Sequence, residues 1–315
     1  MQLARQYNVL LIGDSCTDVW AYGECKRLSP EAPVPVMKYR ETQSAPGMAA
    51  NVHANLTSLG INVNFLTNKE TITKTRYIDE KSNYQVMRLD NEPKVKPLRE
   101  AELRMAAMHL EYDAVVISDY DKGFVDINLL DILAPRNPDV KIFVDTKKKK
   151  LPTQYPNVIY KINRKEFELL DPDHIPNGKN MIVTSGALGA LWDHQTFPVP
   201  ITRVFDVSGA GDSVLAIIAH YSQYKDIPDA CELAYKGAQK IVQKRGVSII
   251  SKTDIEDVIV WTNGVFDILH KGHFELLKTA HSLGHELIVG INSHASVKRL
   301  KAEDLHINNQ TNTVR

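Results

Sequence analysis

Short apolar runs ending in polar residues recur along the chain: "NVLLIGDS" at 8–15, "AVVISD" at 114–119, "KIFVDT" at 141–146, "VIYKIN" at 158–163 and "MIVTSG" at 181–186. Runs of this length, apolar on both alternating positions, predict strands buried on both faces of a parallel sheet. Longer stretches with helical spacing separate several of them, notably 98–110 and 126–134. A further helix is expected over 46–60, with Pro46-Gly47 before it and Gly60 as its stop, and two more over 209–223 and 229–246. Strand and helix in alternation predict an α/β fold whose parallel sheet is covered by helices on both faces. Ligands of such sheets gather beyond the carboxyl ends of the strands, where Asp14, Asp119, Asp145 and Asn163 fall.

Two stretches depart from this pattern. "SPEAPVPVMKYRE" at 29–41 carries three prolines among alternating apolar residues, which suits an edge strand or a protruding flap. Near the end, the polar join "SKTDIED" precedes a terminal strand, helix and strand: "VIVWTNG", "LHKGHFELLKTAHSLG" and "ELIVGINS". The expected organisation is a large domain over 1–255 and a smaller unit over 256–315.

Composition narrows the class. Of 315 residues, 43% are hydrophobic and 24% charged, an ordinary globular balance. Lys+Arg and Asp+Glu each number 38, so the net charge is zero, which argues against a protein that coats nucleic acid. Cys16, Cys25 and Cys231 show no CxxC spacing, and an odd count fits free thiols in a reducing compartment rather than a disulfide framework or a zinc site. The longest apolar runs, such as "VLAIIA" at 214–219, are far too short to span a bilayer, and a cytoplasmic location is expected. Lys147–Lys150 reads as a solvated turn.

The chemistry centres on "DVSGAGDS", Asp206 to Ser213, a glycine-rich turn feeding a helix. The first amides of a helix lack internal partners and, with the macrodipole, favour an anion. Gly209 and Gly211 let that anion approach closely, and Asp212 in the first turn is placed to accept a proton from an attacking hydroxyl. Alone, this pattern reads equally as a glycine helix start with an ordinary acidic residue. Two companions add weight. "NRKE" offers Asn163 and Glu166 one turn apart after a strand, suited to Mg²⁺-bound water or, more plainly, to a helix cap. "VTSGALG" at 183–189 is a strand leading to a glycine turn, suited to a nucleotide or to a hairpin.

With these three in order, the chain over roughly 8–250 resembles the ribokinase/PfkB family of sugar kinases. "GDSCTD", "SPEAPVPV", "PGMAANV", "TITKTRYI", "QVMRLD" and "SDYDKG" are similar to the kinase half of bifunctional ADP-heptose synthases of lipopolysaccharide assembly. The resemblance implies a ribokinase-like sheet with a small β lid. It implies Asp212 as base, an anion hole at Gly209, Ala210 and Gly211, and Asn163 and Glu166 at the Mg²⁺–phosphate region. Thr184, Gly186 and Gly189 would lie by ATP, and Asp14, Asp18, Gly47 and Asn51 would hold sugar hydroxyls. Lys74, Arg76, Arg88 and Lys122 are candidates for the substrate's own phosphate; Arg76 and Arg88 read as readily as surface strand residues. The implied reaction is ATP-dependent phosphorylation of the anomeric hydroxyl of D-glycero-D-manno-heptose 7-phosphate, with ATP and Mg²⁺ and a monovalent cation as a further candidate.

The sequence also departs from the family. Met48 stands where a second glycine is usual, so a narrowed or reshaped sugar pocket is expected. Asp145-Thr146-Lys147 replaces an Asp-Pro-Lys, and Ser208 replaces a threonine. After Gly60 the chain runs directly to the lid strands, where the family inserts a further helix and strand.

"TNGVFDILHKGH" resembles the cytidylyltransferase-like family with its HxGH motif. Asn263, Gly264 and Phe266 shape the loop, His270 and His273 face one side of a helix toward triphosphate oxygens, and Lys298 in "INSHASVKRLK" is a phosphate candidate. The stretch reads as a truncated, partial Rossmann-like βαβ unit, expected to be inactive as a transferase. Two rival readings stand beside the heptose kinase: a ribokinase-like kinase for another phosphorylated sugar, and a catalytically silent nucleotide-binding or assembly module. Proline-punctuated flap strands around 29–41 and 74–90 predict a homodimer through the lid.

Overall fold

The computed structural model describes residues 6–109, 111–198, 207–244, 246, 248–256, 258–266 and 269–292. It divides into two compact units, Met1–Ser251 and Lys252–Arg315.

The first unit opens with β1 (Asn8–Gly13), β2 (Ser15–Leu28) and β3 (Pro35–Met48), then α1 (Ala49–Ser58) and β4 (Asn62–Thr67). β5 (Thr73–Asp79), β6 (Tyr84–Asn91), α2 (Glu100–His109), β7 (Ala114–Asp119) and α3 (Leu130–Leu133) follow. Next come β8 (Lys141–Thr146), β9 (Val158–Asn163), α4 (Arg164–Phe167), β10 (Met181–Thr184), β11 (Ala190–Trp192) and β12 (Gln195–Phe197). α5 (Ala210–Tyr221) and α6 (Ile227–Val242) close it.

The main sheet runs β12-β11-β10-β9-β8-β7-β1-β4. The six strands from β10 to β4 are mutually parallel, and β11 and β12 are added antiparallel, so the expected parallel sheet is mixed at one edge. Side chains alternate between its faces. Ile12, Ile117 and Val144 pack with Leu103 of α2 and with Leu130 and Leu133 of α3. Each such buried leucine contributes about 1.5–3 kcal/mol. The alternate residues, such as Leu11, Val116 and Phe143, are fully buried toward the other face, where α1 and α5 contact the strands.

The lid is a second sheet, β3-β2-β5-β6. The proline-rich stretch becomes β3, an edge strand as expected, but it runs on through Gly47 and Met48, which pair with Cys16 and Ser15. The helix starts at Ala49, beyond the Pro46-Gly47 pair expected before it. β2 itself was not legible. Its inward positions alternate Cys16, Asp18 and Trp20, and the aspartate breaks the apolar periodicity while its charge is met from the neighbouring strand.

In the second unit, α7 (Lys252–Ile255) precedes β13 (Ile259–Gly264), α8 (Lys271–Ser282) and β14 (Glu286–Ile291). β13 and β14 pair in parallel, the βαβ arrangement the sequence predicts. No helix among the described residues is long and apolar enough to cross a membrane.

Candidate active site

The chain turns into α5 at Gly209, whose φ of 77° is the left-handed conformation that glycine adopts without strain. Asp212 follows in the first turn and is buried. Its Oδ1 accepts a hydrogen bond from the Tyr120 hydroxyl at 2.7 Å, and its Oδ2 accepts one from Asn51 Nδ2 at 3.0 Å. Burial pushes the Asp212 carboxyl up to about 6, while the two hydrogen bonds oppose the rise. Asp145 pushes it up further and Lys161 draws it down.

Tyr120 was not singled out in the sequence. Its ring lies within 5.8 Å of the Lys74 ammonium and 5.1 Å of the Lys147 ammonium. The signal was its place just beyond the end of β7, where ligand-facing residues of parallel sheets collect.

Asp14, expected at the sugar, anchors a turn through its carboxylate. It is fully buried, its Oδ2 accepts from the amides of Tyr120 (2.9 Å) and Lys122 (3.2 Å), and its Oδ1 accepts from that of Phe124 (3.1 Å). It thereby shapes the turn that presents Tyr120 to Asp212. Asn51 reaches Asp212, and its two carbonyl oxygens in turn accept from Asn55.

On the lid, Asp18 is paired with Arg76 at 2.5 Å, and the guanidinium lies 5.3 Å from the centre of the Trp20 ring. Gly47 is required there: a Cβ would stand 2.2 Å from Asp18 Oδ2 and 2.7 Å from Cys16 Sγ. Arg88 and Lys122 are not drawn into this group. Arg88 is half exposed and paired with Asp90 at 2.9 Å, and Lys122 is paired with Glu92 at 2.6 Å. Met48 has a φ of 56°, a conformation natural to the glycine usual at this position, and its buried side chain joins the core cluster that holds Ile12, Cys16 and Ile72.

Asn163 ends β9 and caps α4 in a capping box. Its Oδ1 accepts from Glu166 N at 3.0 Å, and its own amide donates to Glu166 Oε2 at 2.8 Å. Glu166 Oε1 accepts from Lys147. The plainer cap geometry is thus present. Among the described residues no group of three or more His, Cys, Asp or Glu is placed to hold a metal. This donor set fits a hydrated Mg²⁺ carried on a nucleotide's phosphates and reached through water, rather than a cage of protein ligands. Thr184 pairs in register with Asn163 on the adjacent strand. The turn after it closes with Ser185 N donating to Gly189 O at 2.7 Å, joining β10 to antiparallel β11. Gly186 and Gly189 both have positive φ, and a Cβ on Gly189 would strike the Phe197 carbonyl at 1.8 Å.

In the second unit, His270 caps α8 through Nδ1, which accepts from Gly272 N at 3.1 Å and leaves Nε2 as the donor. The His270 and His273 rings stack at 3.9 Å, so they share a face as expected. Phe266 packs edge-on to His273 at 5.1 Å, and a Cβ on Gly264 would meet the Phe266 ring. Asn263 lies on β13 in register with Gly290. Lys298 lies outside the described residues.

A largely parallel sheet with a four-stranded lid, and a buried carboxylate at the head of a helix between them, is the ribokinase-like architecture. The ribokinase of Arabidopsis thaliana complexed with ribose and ATP superposes with a TM-score of 0.58 at 14% identity, covering 80% of this chain and 98% of that one. Thermotoga maritima ribokinase gives 0.59 at 15%, covering 79% and 98%. By sequence, residues 110–254 match the pfkB family of carbohydrate kinases and residues 261–310 match the cytidylyltransferase-like family. The bifunctional protein HldE of Campylobacter jejuni subsp. doylei is 32% identical, covering 96% of this chain and 81% of the relative. That of Shewanella sp. strain ANA-3 is 30% identical, covering 95% and 80%. The chain belongs to the HldE family, with a pfkB-type carbohydrate kinase domain followed by a cytidylyltransferase-like region.

Proposed function

We propose that the protein transfers the γ-phosphoryl group of ATP to the anomeric hydroxyl of D-glycero-D-manno-heptose 7-phosphate, giving the 1,7-bisphosphate. The observation that carries this reading is the buried Asp212 carboxylate at the head of α5, gripped by Tyr120 and Asn51 and poised to titrate near pH 6. At neutral pH it is mostly ionised yet basic enough to take a proton. The hydroxyl proton passes to Asp212, the sugar oxygen bonds to the γ-phosphorus, and the bond to the β-phosphate oxygen breaks to release ADP. The amides at Gly209, Ala210 and Gly211 stabilise charge on the transferring group. Asn163 and Glu166 would hold Mg²⁺ through water, where it would supply neutralisation of phosphate charge. Thr184, Gly186 and Gly189 line the nucleotide side, with a monovalent cation as a further candidate cofactor. Asp18, Gly47 and Asn51 serve the sugar, and Lys74 and Arg76 serve its phosphate.

An ADP-release assay over a panel of phosphorylated sugars, with the heptose 7-phosphate included, tests the reading. The heptose should give the highest kcat/KM. A strong preference for another sugar would keep the kinase and replace the acceptor, and failure of every sugar phosphate would favour the silent module. The reading assigns only the kinase step to this chain. A nucleotide-sugar formed from heptose 1-phosphate and ATP or CTP would overturn that restriction.

A further inference from the structure

Lys161 is a charged residue with no place in the mechanism above. It lies near the carboxyl end of β9, and its neighbours Tyr160 and Ile162 face the cluster formed with α2 and α3. Lys161 therefore points to the opposite face, toward α5. It is 4% exposed, and its ammonium pairs with Asp145, 5% exposed, on the adjacent strand. A Cβ built on Gly211 would meet the Lys161 Nζ first, at 3.3 Å. The ammonium thus lies against the first turn of α5, beside the helix head where an anion is favoured.

A buried ion pair is a poor source of stability, because desolvating both charges offsets most of their attraction. Two apolar side chains would fill the space at least as well. The pair is also not isolated. Asp145 lies 3.8 Å from Lys147, and Lys147 pairs with Glu166. An alternating row, Lys161–Asp145–Lys147–Glu166, therefore runs from the head of α5 to the Asn163 cap.

We propose that Lys161 is a positioning residue for phosphoryl transfer: its buried ammonium fixes a positive charge beneath the α5 amides and favours the ionised form of Asp212, with Asp145 as the counter-charge that sets its strength. This rests on the reading of Asp212 as the base. Among the described residues, ionisable groups that act on Asp212 include Tyr120, Cys16, Asp145, Lys147 and Lys161. Tyr120 and Cys16 stay protonated, since burial drives the tyrosine well above its usual range and the thiol up to about 12. The lysines are thus the positive charges of the set and Asp145 the opposing negative one.

The test is a carbon-13 NMR titration of the Asp212 carboxyl in the full chain, assigned by its loss in Asp212→Asn, alongside pH profiles of kcat/KM. Lys161→Met should move the Asp212 midpoint and the acid limb upward by about one pH unit. It should also lower kcat at least tenfold on the high-pH plateau, while Lys161→Arg retains most activity. Lys161→Met combined with Asp145→Asn, which restores charge balance, should return the midpoint toward wild type and keeps the test available if the single variant folds poorly. Unchanged midpoints in the single and double variants would overturn the proposal. The two readings fail separately: near-normal turnover in Asp212→Asn removes the base. An inactive Asp212→Asn beside a wild-type profile in Lys161→Met removes only the role of Lys161.

Discussion

The base proposed for transfer, Asp212, is also a source of instability. Its carboxyl is raised from an ordinary 3.8 to about 6 by burial. Between those values the folded state holds a proton that the unfolded chain releases, so stability falls as pH rises through the window. Above it the ionised form carries a cost on the order of 3 kcal/mol. Asp212→Asn escapes that cost. It should melt higher than wild type at pH 7.5, with the difference shrinking toward pH 4, while turnover falls about 10²- to 10⁴-fold. Differential scanning calorimetry and the ADP-release assay read the two effects. Tyr120→Phe makes a complementary case. Loss of its hydrogen bond removes a pull that lowers the Asp212 value. The acid limb of kcat/KM should therefore move up by about half to one unit, lowering activity at pH 6 more than at pH 8.

At the scale of elements, the Asn163–Glu166 cap ties a strand end to a helix of only four residues. Asn163→Ala should cost about 1 kcal/mol, the usual value of an N-cap, seen as a lower urea midpoint. If the capped turn also serves the nucleotide, the same variant should weaken MgATP binding in calorimetry beyond what that loss of stability explains. Unchanged MgATP affinity would leave Asn163 as a cap alone. Asp14 shows the same principle from the other side: an acidic residue at a strand end anchors a turn, and the turn carries Tyr120 to Asp212.

For the molecule as a whole, the lid ends in β6, an edge strand exposed along its length, with Tyr84, Met87 and Leu89 among its open apolar side chains. We propose a homodimer through the lid. Light scattering should give twice the mass of 35.4 kDa at micromolar concentration, and a fully active monomer would rule it out. In the second unit, His270→Ala removes both a cap and the Nε2 donor. It should weaken binding of nucleoside triphosphate to that unit while leaving kinase kcat unchanged, as separate titrations of wild type and variant would show.

The strand runs and their polar ends followed from sequence, because burial on both faces leaves only apolar residues until the sheet edge, where ligands and solvent begin. The glycine turn before α5, the place of Asp212 in its first turn, the edge character of β3 and the shared face of His270 and His273 followed too, since each depends on local backbone geometry. Three things did not. β2 was hidden because an inward aspartate interrupts its alternation, and only the Arg76 partner on another strand makes that burial tolerable. The strand conformation of Gly47 and Met48 depends on Cys16 and Ser15, some thirty residues earlier in the chain, and the short hairpin β11–β12 carries too few apolar positions to stand out as strands. The partners of Asp14, Tyr120 and Lys161 were decided by contacts made across some fifty residues or more, or between adjacent strands, which no local pattern encodes. Local chemistry determined which groups exist and which element carries each; the tertiary fold decided which charges meet, because desolvation forces every buried ionisable group to find its partner wherever the chain brings one.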